Sequence, residues 1–193
     1  MIKNIVFATN NQHKLKELRE IVGDKFNILS LADIKCFDEI PETANSFDGN
    51  ALMKARYVKD KYGYDCFADD SGLEINALDN APGVYSARFA GNECDSEKNI
   101  SKVFTLLGNC PDRKARFVTV FALIMDKNIK YFRGEIAGNI NKEKKGSEGF
   151  GYDPIFVPED YEETFAQMPA ELKNKISHRA IASQKLIEYL KSI

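Results

Sequence analysis

The chain has 193 residues, a formal net charge of −2, and 44% hydrophobic against 29% charged residues. That length supports a sizeable buried core, the balance is that of an ordinary soluble globular protein, and the slight acidic excess argues against a general nucleic-acid binder, so no nucleic acid is expected as partner. No segment approaches the ~20 apolar residues that cross a bilayer, so no membrane partner is expected either. Cys36, Cys66, Cys94 and Cys110 are scattered and form no C-x-x-C pair. Reduced thiols in a cytoplasmic protein are therefore expected, rather than a disulfide framework or a zinc site. The opening apolar run of MIKNIVFATNN is too short for a signal-peptide core.

In chain order, residues 2–9 (IKNIVFAT) read as a buried strand. Residues 11–23 follow as a helix with Leu15, Leu18, Ile21 and Val22 on one face, closing at Gly23. Residues 26–31 form a second strand, and 46–62 a helix with Phe47, Ala51, Ala55, Val58 and Tyr62 at helical spacing. A short strand over 65–69 runs into Asp70, and LEINA at 73–77 alternates like another. A helix over 95–107 starts from Asp95 or Ser96. Residues 115–126 are a long strand, DKN is a turn, and 129–140 is the hairpin partner. Residues 141–154, rich in glycine and charge, read as a functional loop, and 176–191 as a last helix. The pattern predicts an α/β fold with a mixed sheet. With no Pro/Gly/Ser linker between its halves, residues 1–193 are expected to form a single domain.

Five stretches carry potential chemistry. ATNNQHK at 8–14 ends a strand and opens a helix, where free N–H groups, Thr9, Asn11 and Lys14 favour an anion; a capped helix with a solvated lysine would leave the same pattern. Asp69-Asp70-Ser71-Gly72 places two carboxylates at the end of an apolar run. Alternation along a strand sends them to opposite faces, so one can hold a metal while the other caps a turn. Glu42 precedes the 46–62 helix; it either complements that helix dipole or pairs with Asp70 as a ligand for a hard cation. In GSEGFGYDPIF at 146–156, Phe150 or Tyr152 offers a stacking face and Asp153 an acceptor, if the segment is not simply a glycine-rich turn. His178 and Arg179 present several donors to a carbonyl or phosphate.

The matching motifs are T-x-N-x-x-K (Thr9, Asn11, Lys14), ADDSGL at 68–73, APGVYSAR at 81–88, GFGYDPIF at 149–156 and SHR at 177–179. In this order and spacing they resemble the inosine triphosphate pyrophosphatase family, from about Ile5 to Leu190. The resemblance implies an elongated mixed β-sheet flanked by helices, two lobes with an active-site cleft between them, and a homodimer. It implies hydrolysis of ITP, dITP and XTP to the monophosphate and pyrophosphate with Mg2+ as cofactor. Thr9, Asn10, Asn11, Gln12, His13 and Lys14 would then hold the phosphates. Glu42 and Asp70 would serve the metal, and Asp70 would accept the proton. Ser71 would touch substrate, and Phe150, Gly151, Tyr152 and Asp153 would line the base and sugar pocket. Lys173 would stabilise phosphate, and His178 and Arg179 would read the purine. One departure is Gly49-Asn50-Ala51, where the family often has E-N-A; Asp48 stands beside the missing carboxylate.

Overall fold

The computed structural model describes residues 3–10, 14, 15, 18, 19 and 26–193. Its strands are β1 (Lys3–Phe7), β2 (Phe26–Leu29), β3 (Cys66–Ile75), β4 (Lys114–Met125), β5 (Asn128–Ile140) and β6 (Phe156–Pro158). Its helices are α1 (Phe47–Tyr62), α2 (Ser96–Leu107), α3 (Ala170–Ile176) and α4 (His178–Ser192). The helix expected over 11–23 lies largely outside the described residues. Of its expected inward positions, Leu15 and Leu18 are described and are buried.

The strands form one mixed open sheet in the order β2-β1-β3-β4-β5-β6. β1 runs parallel to β2, with Lys3 opposite Phe26, and parallel to β3, with Val6 opposite Cys66. β6 is antiparallel to β5, with Phe156 opposite Ile140. β1 and β4 read as apolar runs because both of their faces are covered. Asp95, not Ser96, caps α2: its carboxylate accepts from the N–H groups of Glu97 and Lys98.

Two elements differ from expectation. The strands expected at 65–69 and 73–77 are one ten-residue strand, β3. Asp, Ser and Gly favour turns when their side chains bond the local backbone. Here the side chains find distant partners instead: Asp69 meets Lys14, Asp70 meets Asn50, and Ser71 meets Thr119. The last helix, expected over 176–191, is split at Ser177 into α3 and α4. Ser177 is extended (φ −66°, ψ 154°), and its hydroxyl accepts from Ala180 N–H at 3.2 Å, a cap that starts α4 at His178.

The chain forms two compact units, the first from 1–70, 120–133 and 182–193, the second from 71–119 and 134–181. The first unit packs one core around stacked Phe7 and Phe67 (centroids 4.7 Å apart) with Phe121, Leu186 and Leu190. A further core in that unit sets α1, through Ala55 and Val58, against Val6, Cys66 and Ala68. The second unit is built on Phe117, Phe156 and Phe165 with Ile100 and Val103 of α2. No described helix is long and apolar enough to cross a membrane.

Candidate active site

In the first unit, α1 places the chemistry. Ser46 caps it by accepting from Gly49 N–H at 3.1 Å, and Gly63 ends it in the left-handed region. Its buried stripe is Phe47, Asn50, Ala51, Ala55 and Val58. Asn50 is the polar exception, fully buried. Its Nδ2 donates to Asp70 Oδ2 at 3.0 Å and its Oδ1 accepts from Ala44 N–H at 2.9 Å. One turn on, at i+4, Lys54 Nζ donates to Glu42 Oε1 at 2.6 Å.

β3 supplies the two aspartates, and they take different partners. Asp69 accepts from Lys14 Nζ at 2.6 Å, with only 3% of its side chain exposed. Asp70 goes to Asn50 instead. Burial pushes the Asp70 carboxyl up from 3.8 to about 6, helped by the charges of Glu42 and Asp69 and opposed by Lys54 and Asn50. Burial disfavours the Lys54 ammonium, but Asp69, Glu42 and Asp70 outweigh that effect and raise it above the ordinary lysine value. Three carboxylates thus gather with two lysines. Such a cluster carries an excess of negative charge once Asp70 ionises.

Among the described residues no group of three or more His, Cys, Asp and Glu is placed to hold a metal ion. Glu42 and Asp70, however, act on each other electrostatically and offer hard oxygen donors. Two carboxylates suit a small divalent cation that keeps waters and takes its remaining ligands from phosphate. Thr9 is half-buried just past β1 and Asn10 is exposed. Asn11, Gln12 and His13 lie outside the described residues. Asp48 is near Arg133, its Oδ2 3.5 Å from Nη1.

In the second unit, the GFGYDPIF motif divides its labour. Phe150 is 62% exposed, whereas Tyr152 is core, its hydroxyl donating to Ser86 O at 2.8 Å. Of the two aromatic rings offered by sequence for stacking, Phe150 is the accessible one. Asp153 is buried; its Oδ2 accepts from Phe150 N–H at 2.7 Å and from Lys173 Nζ. Gly149 sits at φ 78°, and a Cβ there would run into the Asp153 carboxylate. Gly151 is half-buried in the same turn. Lys173 Nζ lies 5.1 Å from the Phe150 ring centre, and the Arg179 guanidinium lies 5.5 Å from it. His178 is buried and stacks on Phe117, centroids 4.7 Å apart at 9°. The Arg179 Nε is buried with no hydrogen bond among the described residues. Ser71 and Thr119 hydroxyls are 2.7 Å apart.

The APGVYSAR motif is a brace. Ser86 Oγ accepts from Leu73 N–H at 2.8 Å and donates to Gly83 O at 2.6 Å, while Asn99 Nδ2 donates to Ala87 O at 2.8 Å. Sequence reasoning assigned no role to Asn50 or Lys54. The available signal was two polar residues four apart on the apolar stripe of α1.

The open mixed sheet thus carries a buried carboxylate–lysine cluster in one unit and, separately, a ring–guanidinium–imidazole cluster in the other. The Ham1 family profile matches residues 5–189, and the chain belongs to the Ham1 family. A dITP/XTP pyrophosphatase of Flavobacterium johnsoniae is 49% identical over 186 residues, 96% of this chain and 97% of that protein. One of Porphyromonas gingivalis is 50% identical over 190 residues, 98% of each. The solved structure of the Staphylococcus aureus Ham1 protein superposes with a TM-score of 0.94 at 38% identity, covering 98% of this chain and 99% of that one.

Proposed function

We propose that this protein hydrolyses non-standard purine nucleoside triphosphates (dITP, ITP and XTP) to the monophosphate and pyrophosphate, with Mg2+ as cofactor. In that role it clears the cytoplasmic nucleotide pool before such nucleotides enter DNA and RNA. It works as a homodimer in which residues 1–193 act as one pyrophosphatase domain. The observation that carries the reading is Asp70: a buried carboxylate raised to about 6 within a cluster of carboxylates and lysines. The names of the relatives agree with it.

Glu42 and Asp70 would hold Mg2+, which when bound would supply charge neutralisation for the triphosphate. The carboxylate of Asp70 takes the proton of the water that attacks at the α/β phosphate linkage. In the metal-free protein burial raises this carboxyl to about 6, so it is ionised at neutral pH and able to accept a proton. The segment from Thr9 to Lys14 positions the phosphates, and Lys14 and Lys173 stabilise charge on the leaving pyrophosphate. Ser71 contacts the substrate, its hydroxyl oriented by Thr119.

The base falls to Phe150, His178 and Arg179, with Gly151, Tyr152 and Asp153 shaping the wall of the pocket behind Phe150. Phe150 supplies the exposed face, and the buried N–H of Arg179 has a hydrogen bond still to make. A C6 carbonyl satisfies such donors and adenine's amine does not; an unsatisfied buried donor costs ~1–3 kcal/mol, about one to two decades. With Mg2+ present and the two phosphate products assayed separately, dITP is expected to release pyrophosphate at least tenfold faster than dATP. Equal rates would overturn the selectivity, orthophosphate as product would mark a phosphomonoesterase, and tight binding without release would mark a sensor.

Phe117 fixes the plane of the His178 ring. Phe117→Leu keeps an apolar side chain there but removes the stacking face. It is expected to cost about 1 kcal/mol of stability and to lower the dITP-to-dATP ratio several-fold. Urea unfolding and paired kcat/KM measurements check both.

A further inference from the structure

We propose that Asn50 is a positioning residue that locks Asp70 and the segment bearing Glu42 into one fixed arrangement. The inference rests on the reading of Asp70 and Glu42 as the catalytic and metal carboxylates. A fully buried carboxamide on an otherwise apolar stripe is costly unless both of its ends are satisfied. Both are. Nδ2 donates to Asp70 Oδ2 at 3.0 Å, and Oδ1 accepts at 2.9 Å from the N–H of Ala44, two residues past Glu42. A single planar group therefore spans from the carboxylate of one proposed ligand to the backbone beside the other.

Two neighbours on α1 complete the lock. A Cβ at Gly49 would stand 2.6 Å from the Cβ of Ala44, a rigid atom that cannot swing aside. With glycine at position 49 the segment packs against the helix start as it stands; a side chain there would force it to shift. One turn further on, Lys54 holds Glu42 itself at 2.6 Å. Asp70 keeps its backbone place within β3 without Asn50; what Asn50 adds is the orientation of the carboxylate and the approach of the Glu42 segment. Groups that orient metal ligands from behind typically change affinity or activity ~10–100-fold when removed.

The test is a double-mutant cycle on the full chain with Asn50→Ser, Asp70→Asn and their combination. Mn2+ binding to nucleotide-free protein is followed by EPR, dITP turnover by pyrophosphate release, and folding by thermal melting. Asn50→Ser is expected to weaken Mn2+ about tenfold and lower kcat roughly tenfold or more, with KM for dITP changed less than about threefold. On the Asp70→Asn background the same change is expected to lower kcat by less than about twofold, because a residue acting through Asp70 has nothing left to orient. Asn50→Asp keeps the shape and the acceptor for Ala44 but sets a second buried carboxylate against Asp70, so it is expected to lose kcat at neutral pH and thermal stability as well. The inference is overturned if Asn50→Ser loses only thermal stability, if Asn50→Asp turns over normally, or if the losses with Asp70→Asn are additive. A fully active Asp70→Asn would instead overturn the reading of Asp70, and the lock with it.

Discussion

Asp70→Asn is expected to lose turnover by about a thousandfold or more, and at the same time to make the metal-free protein more stable at neutral pH. The two effects have one origin. The folded protein holds the Asp70 carboxyl near 6 where the unfolded chain holds it at 3.8, chiefly because the group is buried. Between those values the folded state binds the proton more tightly, so stability falls as pH rises and stays lowered above about pH 6. Asparagine carries no charge to bury. Its advantage is expected to vanish near pH 4 and to reach on the order of 3 kcal/mol above pH 6. Melting temperatures across that range, taken in chelator, measure the difference. Added Mg2+ is expected to stabilise the native protein and not the variant, since a ligand that binds only the folded state adds stability by mass action. An Asp70→Asn protein no more stable than its parent at pH 8 would mean that the burial of this charge costs nothing.

Lys54→Met is the second large effect. Lys54 is 13% exposed and faces the carboxylates of Glu42, Asp69 and Asp70. Removing one partner of a buried pair costs ~3–5 kcal/mol. Glu42, at 35% side-chain exposure, regains water and softens that loss, so about 2–3 kcal/mol is expected at pH 8. The loss should shrink at pH 5, where Asp70 takes up a proton and the remaining repulsion eases; Lys54, raised above its ordinary value, stays charged throughout that window. The same change pushes Asp70 further up, so the acid limb of turnover moves to higher pH. Urea unfolding at the two pH values and a pH–rate profile test it. Equal stability at pH 8 would show that Lys54 does not compensate the cluster.

Much of this was legible in the sequence where periodicity was clean. β1, β4, β5, α1 and α2 lie within a residue or two of expectation because their apolar spacing is unambiguous. β3 was misread as two strands because Ser71 and Gly72 look like a turn when their distant partners are unknown, and Thr119 is forty-eight positions away. α3 was missed because a seven-residue helix with no buried residue has no stripe to recognise. Asp70 stood out as a charge at the end of an apolar run. Asn50 did not, because an asparagine in a helix carries no charge to draw the eye, and only burial shows that it has no water to bond. Phe150 and Tyr152 were equivalent as letters; the structure separates them by exposure, which no local pattern encodes.

β3 has an implication for how such a chain is inherited. The chain passes from the first unit to the second between Asp70 and Ser71, inside an unbroken strand, and β4 and β5 likewise hold residues of both. Neither unit is a continuous piece of polypeptide. No single crossover in a gene, and no single cut in the chain, delivers one unit intact without the other. Its halves cannot be shuffled onto other partners by such an event, and one family profile runs from residue 5 to 189 in a single span.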